Sequence, residues 1–449
     1  MHPATARVRS LPCTLSSCQR SLRCTLVAGL FGLGALLSAP SAHADLKLAS
    51  GDKWEVSTNG RVNAFLSYIN GDGYPANDPG QMNNLVAGAG FESFQTDENN
   101  DIDAFRLRSG FLGNVLGLSA KMKLTDTTSV TAHIEIWSTI ETLRVKATSN
   151  YPDVRQGYGK IEGPWGGLLI GRSLALFSRG AISLDFEYQH GNGLGYPCNA
   201  DGNGPTCGMV GYGVIFAGFN PQITYTTPDV GGFKTSLGVF DPVNAPGKYE
   251  RTPLPRIEAE ATFDREFMVA GQKSNVHAFI NGMWQRLTEQ GNPDTPPRED
   301  FEPQSVNPWG VNLGAWAEIA RIRAGFSFFQ GKGLGMNNTL ENTPIVFDGD
   351  GQPRKFDGYY AVLGLNLHPV TLNAGFGVTR VFATQSDYEL AMSSRLDPIK
   401  TQQGISAGIN YAFSEHLVAA IEYFHADHTW YLGERQKLSF ANTGLTVLW

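Results

Sequence analysis

Apolar and polar residues alternate with a period of two along much of the chain. From Leu116 to Leu124 every second residue is apolar, with Gly, Ser or Lys between. Residues 130–136 continue the pattern, with Val, Ala and Ile set against Thr, His and Glu. This period is typical of β-strands whose two faces meet different surroundings. The pattern predicts an all-β protein, with similar runs near 54–70, 257–263, 311–319, 322–328, 359–366, 372–378, 402–413, 416–428 and 442–449.

The connections between these runs are of two kinds. Short turns such as 164–167 and 229–232 alternate with long polar segments. Such asymmetry is typical of a barrel with one end facing the periplasm and the other facing outside. Eight long connections predict sixteen strands, and they fall near 70–102, 141–152, 173–218, 241–253, 288–308, 331–356, 382–399 and 429–436. Eighteen strands is the alternative, because residues 103–115 change phase around Gly113 and could form a bulge or an extra hairpin.

The composition of the two faces favours a membrane-spanning barrel over a soluble β-sandwich. The runs exceed the roughly five or six residues that are usual for sandwich strands. Opposite the apolar residues stand Arg, Lys, Glu, Asn and Gly together, which suits a water-filled lumen. After residue 44 the chain has no apolar stretch of about 18 residues, which excludes a helical membrane protein. We therefore expect a transmembrane antiparallel β-barrel surrounded by outer-membrane lipid, with long external loops and short periplasmic turns.

Residues 1–44 have the features of a cleavable secretory signal. Four arginines precede an apolar run from Leu26 to Leu37, and small residues follow it up to Ala44. The run of about a dozen residues is shorter than the roughly 20 that a transmembrane helix needs. Cleavage after Ala44 removes four arginines and no acidic residue, so the formal net charge moves from −7 to −11 and residues 45–449 remain as one barrel domain. This acidic balance argues against nucleic acid as a partner.

Two cysteines remain after the signal, Cys198 and Cys207. An even number in an exported chain predicts one disulfide. Their spacing suits a clip within a loop better than a metal site, which would need further Cys or His ligands nearby. The acidic clusters at 97–101 and 348–351 lack the spacing of an EF-hand and are interpreted as solvated loops. We therefore predict neither a metal nor a cofactor.

The last strand of the chain carries a short motif. A polar residue, a glycine, an apolar residue and a terminal aromatic stand at Asn442, Gly444, Val447 and Trp449. This arrangement resembles the β-signal of bacterial outer-membrane proteins, which the barrel-assembly machinery recognises, although Phe is the usual last residue of that pattern. Because a strand edge cannot stay unpaired in lipid, we expect this strand to pair with the first strand near 60–68.

Residues 154–172 carry a second motif. An Arg-Gln-x-Tyr strand that begins at Arg155, a tight turn and a Gly-x-Leu-x-x-Gly-Arg strand that ends at Arg172 follow one another. This order resembles the general Gram-negative porins, in which the second strand leads into a loop that folds into the barrel and narrows it. The resemblance implies that residues 173–218 are such a constriction loop, and that three copies of the chain associate as a homotrimer.

The candidate site residues are charges that could line a constriction. Opposed charges create a transverse field that orders water and sorts dipolar solutes. The basic candidates lie on early strands and are Arg61, Arg106, Arg108, Lys121, Lys123, Arg155 and Arg172. Asp185 and Glu187 of the loop would oppose them. Arg172 shares the parity of apolar Ile170, so its inward direction depends on the resemblance alone, and charges of both signs on later strands leave the ion preference open.

These features predict an outer-membrane porin, a water-filled channel for passive diffusion of small hydrophilic solutes and ions, with no catalytic activity. One alternative is a substrate-selective porin in which Phe186, Tyr188 and Tyr196 line a path for a sugar or an aromatic acid. A second is a surface adhesin that uses the long loops and needs no open lumen. A third is an outer-membrane hydrolase that uses His133 or His277, which we disfavour because no Ser/His constellation is evident.

Overall fold

The computed structural model describes residues 46–73, 97–140, 152–191, 193–196, 205–245, 248–291, 302–337, 339–340, 343–394 and 399–449. The barrel belongs to one compact unit of the chain, Ala39–Trp449. The signal predicted for residues 1–44 lies outside the described residues and stays a prediction.

The strands form a closed antiparallel barrel of sixteen positions, as the eight long connections predict. β3 and β4 pair with the two halves of β2 and together occupy one position. β1 pairs with the start of β2, while β12 and β13 form a separate two-stranded sheet. The strands are β1 (Leu46–Ser50), β2 (Trp54–Asp72), β3 (Asp101–Arg108), β4 (Asn114–Lys123), β5 (Ser129–Ser138), β6 (Asp153–Gly163), β7 (Gly166–Leu174), β8 (Phe219–Thr226), β9 (Phe233–Phe240), β10 (Arg256–Val269), β11 (Gln272–Trp284), β12 (Leu287–Thr288), β13 (Ser305–Val306), β14 (Trp309–Ile319), β15 (Ile322–Lys332), β16 (Lys355–Asn366), β17 (Val370–Phe382), β18 (Ile399–Ser414), β19 (Leu417–Trp430) and β20 (Arg435–Leu448).

The interruption between β3 and β4 accounts for the change of phase near Gly113. Gly113 has a φ of +51°, in the left-handed region that favours glycine, and strand pairing resumes at Asn114. The Asn63 side chain bridges the interruption, because it donates to the Gly113 carbonyl at 2.6 Å and accepts from the Gly110 N–H at 2.7 Å. One strand position is therefore filled by two shorter strands, and no extra hairpin forms.

The barrel closes between its first and last long strands. Residues 438–448 of β20 pair with β2. Beyond them Gly60 and Trp449 exchange two backbone hydrogen bonds, of 2.9 and 3.1 Å. The pairing expected between 442–449 and 60–68 is confirmed.

The two faces of the strands differ as expected. On β4 and β5 the outward side chains of Leu116, Leu118 and Ile134 are 50, 49 and 53% exposed, whereas inward His133 is 7% exposed. An apolar outer face suits lipid acyl chains, and a polar inner face suits water.

The connections alternate in length around the barrel. Seven short turns join neighbouring barrel positions at one end, and they occupy residues 124–128, 164–165, 227–232, 270–271, 320–321, 367–369 and 415–416. The long connections at the other end contain α1 (Arg179–Asp185), a π-helical turn (Phe186–His190), α2 (Thr343–Val346) and α3 (Gln385–Ser394). In the described part of the chain, none of the helices is long and apolar enough to cross a membrane.

Several long connections pack with the adjoining strand ends into a shared apolar core, which includes Tyr249 and Phe347 of the connections and Trp430 of β19. Arg354 is buried beside this core, where its guanidinium pairs with Asp387 and donates to the carbonyls of residues 345 and 347 at 2.8 and 2.6 Å. A buried charge is stable only with such partners, so this ion pair fixes the loops to one another.

We expect Trp449→Lys to impair barrel assembly while leaving export intact, because it places a charge where the last strand meets Gly60. The folded fraction in outer-membrane extracts can be measured from the mobility of unheated samples on SDS gels. Val230→Lys is the control, since Val230 is 72% exposed in a short turn. Equal folded yields for both variants would contradict a role for the terminal residue in assembly.

Candidate functional site

The segment between β7 and β8 is tied to strands that are distant in sequence. The backbone N–H groups of Leu176 and Phe177 both donate to the Glu258 carboxylate of β10, at 2.8 Å each. Arg179, at the start of α1, forms an ion pair with Glu260 of the same strand. Because β10 presents both carboxylates on its inward face, the β7–β8 segment begins its path against that face.

The helical part of the β7–β8 segment lies against β11 and the strands that follow. Leu184 occupies the space beside Gly325, where an added Cβ would overlap one of its methyl groups. Tyr188 is 5% exposed, donates to the Asn275 side chain at 3.1 Å and meets Trp316 edge-on. The space above Gly325 and the contact between Tyr188 and Trp316 thus hold α1 and the π-helical turn against the wall.

A buried triad anchors the end of the helical part. His190 Nδ1 lies 2.6 Å from Asp185 Oδ1, and His190 Nε2 lies 2.8 Å from Glu422 Oε2 of β19, with all three side chains at most 3% exposed. Burial alone would lower the pKa of His190, but the two carboxylates outweigh burial and raise this pKa to about 10. At neutral pH a charged imidazolium therefore links the β7–β8 segment to β19.

The later part of the β7–β8 segment reaches the interruption between β3 and β4. The Gly193 carbonyl accepts from the Phe111 N–H at 2.8 Å, and the Thr206 N–H donates to the Ser109 carbonyl at 3.1 Å. At this interruption the backbone of β3 and β4 is not fully paired with other strands. The segment therefore forms hydrogen bonds with the backbone groups that remain.

Aromatic rings pack the same part against β19 and β20. The Tyr196 ring centre lies 4.9 Å from that of Tyr212, 5.0 Å from Phe440 and 5.8 Å from Phe424. Tyr196 is 2% exposed and Tyr188 is similarly buried. These two tyrosines fill the contact with the wall, which does not fit the alternative in which they line a solute path.

The wall formed by β4, β5 and β6 carries a polar network. Ser119 Oγ lies 2.8 Å from His133 Nδ1, and the His133 ring packs on Tyr158 at 5.1 Å between centres. Glu135 Oε2 is 3.8 Å from His133 Nε2, and the Trp137 indole N–H donates to the same carboxylate. The alternation of residues does not reveal this network, because only the strand register sets Ser119 opposite His133.

Two serines bear on the hydrolase alternative. Ser119 lies within a strand that is paired on both sides, so its neighbouring backbone amides serve the sheet. The run Gly404–Gly408 matches the Gly-x-Ser-x-Gly pattern, but it lies inside β18 and not at a strand-to-helix turn. Its Ser406 is 1% exposed and accepts a hydrogen bond from Gln189. Neither serine has the setting of a hydrolase nucleophile.

Arg61 connects the polar wall with the β7–β8 segment. Its Nη1 donates to the Gly191 carbonyl at 3.0 Å, and its Cζ lies 5.2 Å from the centre of the Phe186 ring. Glu135 on β5 interacts with it electrostatically. Arg61 is therefore a cation positioned between the loop and the wall.

Arg155 supplies a second cation on this wall. Its Nε lies 2.8 Å from the Asp153 carboxylate, and its Cζ lies 4.4 Å from the centre of the Trp137 ring and 5.9 Å from that of Phe219. Guanidinium groups stack favourably on aromatic faces, so this side chain has a defined position.

Lys121 and Lys123 lie on the inward face of β4 but far from these arginines. Arg61 is opposite Val115, and Lys121 is six residues further along β4, about 20 Å at the usual rise per residue. Both lysines are exposed beside the short turn 124–128. The structure does not bring them together with Arg61.

The other three arginine candidates do not all point into the barrel. Arg106 and Arg108 lie on the inward face of β3, and Arg108 is completely buried. Arg172 is exposed on the same face of β7 as Ile170, which is 48% exposed on the outside of the barrel. Arg172 therefore points outward, as the alternation with Ile170 predicts. The inward direction implied by the family resemblance is wrong.

The two predicted acids of the loop have different surroundings. Asp185 belongs to the buried triad with His190 and is not available to a solute. Glu187 is exposed, with Arg323 and His277 as its electrostatic partners.

Cys207 is disulfide-bonded. Its predicted partner, Cys198, lies outside the described residues. Within the described ranges, no three His, Cys, Asp or Glu side chains are grouped in a way that could hold a metal ion.

A closed sixteen-strand antiparallel barrel, apolar outside and polar inside, defines an outer-membrane channel. The family model for Gram-negative porins matches residues 30–444, and the chain belongs to that family. The protein is thus a channel of the Gram-negative outer membrane.

Solved structures of the same fold come from several bacteria. The outer-membrane channel DcaP of Acinetobacter baumannii has a TM-score of 0.62 and 14% identity, over 90% of this chain and 100% of that one. The anion-selective porin of Comamonas acidovorans has a TM-score of 0.56 and 12% identity, over 88 and 100%. OmpF of Salmonella typhi, in complex with daunomycin, has a TM-score of 0.51 and 11% identity, over 90 and 100%. Among curated proteins, none is similar enough in sequence to match this chain.

We expect His190→Gln to loosen the β7–β8 segment, because two buried carboxylates would lose their cation, a change that typically costs about 3–5 kcal/mol. Amide exchange of the segment measures this effect. His425→Gln is the control, since His425 lies on the same strand as Glu422 but bonds to Ser439. Equal exchange in the two variants would rule out the triad as an anchor.

The triad also predicts a pH dependence. A detached, solvated His190 would have the ordinary pKa of about 6.5, whereas the docked residue has a pKa of about 10. The stabilisation is therefore complete below about pH 6.5 and is lost as the pH rises to about 10. Corrected for intrinsic rates, exchange of the wild-type segment should increase between about pH 7 and pH 9.5, and His190→Gln should abolish this increase.

Proposed function

We propose that this channel carries small hydrophilic solutes and ions by passive diffusion, through a lumen that residues 173–218 narrow as a constriction loop. The contact path of the β7–β8 segment carries the proposal. It runs from Glu258 on β10 past Glu422 on β19 to Arg61 on β2, always against inward side chains. A segment held in this way reduces the cross-section of the barrel, and water fills the remainder because its lining is polar.

The charges beside the loop support an eyelet. Arg61 and Arg155 form its basic side, and the exposed Glu187 contributes from the loop. Arg106, which is partly exposed, adds positive charge at the inward face of β3, whereas Arg108 is buried in the wall. Such fixed charges favour hydrated, polar solutes over apolar ones and bias the passage of ions.

Three further partners belong to this proposal. The exposed apolar outer face supports contact with outer-membrane lipid. The terminal motif ending at Trp449 supports recognition by the barrel-assembly machinery. The resemblance of residues 154–172 to the general porins supports a homotrimer, which light scattering of the detergent-solubilised protein would test.

Planar bilayers test the channel directly. Purified wild-type protein should produce stepwise conductance increases that scale with bulk salt conductivity. Saturable block by one solute class at low concentration would instead favour the substrate-selective alternative. A complete lack of conductance would overturn the channel proposal and favour the adhesin.

Single-cysteine labelling tests the position of the loop. A membrane-impermeant, charged methanethiosulfonate should lower the conductance of Glu187→Cys, because the added group would obstruct the narrowed lumen. Val230→Cys, in an exposed short turn, is the matched control and should conduct as before. Labelling of Glu187→Cys without any change in conductance would show that this part of the loop does not narrow the pore.

A further inference from the structure

The loop does not supply the acidic partner of Arg61 through Asp185. Both oxygens of this carboxylate are engaged, one with His190 at 2.6 Å and the other with the Met209 N–H at 2.8 Å, and the side chain is completely buried. Glu187 is exposed but interacts with Arg323 and His277. Of the acids that the structure describes in this segment, neither is therefore the counter-charge of Arg61, and the described barrel wall offers another candidate.

Glu135 on β5 is placed to provide that charge. Its side chain is 13% exposed and lies on the inward face, two residues from His133. It accepts from the Trp137 indole N–H, His133 Nε2 lies 3.8 Å away, and Gln156 is a further polar neighbour. Donors from β5 and from the neighbouring β6 thus hold the carboxylate in one position.

Arg155 and Arg61, the two cations of this wall, differ in the partners that surround their charge. Arg155 is paired with Asp153 at 2.8 Å. Arg61 bonds to a neutral carbonyl and a neutral ring, and its electrostatic interaction is with Glu135. Loss of the Glu135 charge would therefore remove the acidic partner that the described residues provide for Arg61.

We infer that Glu135 is the specificity-determining acid of the constriction, which offsets the charge of Arg61 and keeps the channel from selecting anions. The inference rests on the proposed function, because it needs ions to pass between the β7–β8 segment and the wall of β4–β6. A fixed charge acts over a Debye length of about 10 Å at 0.1 M salt. One carboxylate at this position therefore acts on the ions that pass within that distance.

The test is the reversal potential of Glu135→Gln in a KCl gradient. Gln removes the charge and keeps an oxygen that can accept from Trp137. The permeability ratio of K⁺ over Cl⁻ should fall about twofold near 0.1 M salt, the effect of one unit charge about 8 Å from an ion in water when it is screened over a Debye length of about 10 Å. Near 1 M salt the change should shrink, because the Debye length there is about 3 Å.

Glu162→Gln is the matched control. It makes the same change of formal charge on an inward position of β6, but Glu162 is paired with Lys160 at 2.6 Å beside the short turn 164–165, and both side chains are well exposed. Its permeability ratio should stay close to that of the wild type. Arg61→Gln should shift the ratio in the opposite direction, towards K⁺, and the double variant with Glu135→Gln should restore it.

The outcomes separate two kinds of failure. A Glu135→Gln channel with the wild-type ratio, or with the same shift as Glu162→Gln, would overturn the role of Glu135 while leaving a conducting porin. Should Glu135→Gln fail to fold, Arg61→Gln decides: a shift towards K⁺ supports the inference, and an unchanged ratio overturns it. Wild-type protein without conductance would overturn the proposed function itself.

Discussion

Within a bilayer every backbone N–H and C=O must find its partner inside the protein, because hydrocarbon offers none. This barrel meets that constraint by pairing β20 with β2, down to the two hydrogen bonds between Gly60 and Trp449. Closure fixes the register of all sixteen positions. Because a shift of one residue would exchange the inner and outer faces, closure also determines which charges meet water.

Much of the fold could be predicted from the sequence because strand alternation is a local property. Residues 116–124 and 130–136 show their two faces without any knowledge of their neighbours. The change of phase near Gly113 was visible as well, but the choice between a bulge and an extra hairpin depends on the Asn63 side chain, which comes from another strand.

The candidate site was less predictable, because its contacts join distant parts of the chain. Parity alone placed Arg61 on the inner face and Arg172 on the outer one, and for Arg172 the family resemblance was misleading. No local pattern around Asp185 predicts that Glu422, more than 200 residues later, is the third member of the buried triad with His190. The charge of a loop residue therefore says little about the field in the pore until its partners are known.

The anchors of the β7–β8 segment have a consequence for the order of folding. Its partners include Glu258, Ser406 and Glu422, all of which follow it in the chain, and the last of them lies on the penultimate strand. The segment cannot reach its final position until that strand is in place. Docking of the β7–β8 segment against the inner face of the barrel is therefore a late event in the maturation of the protein.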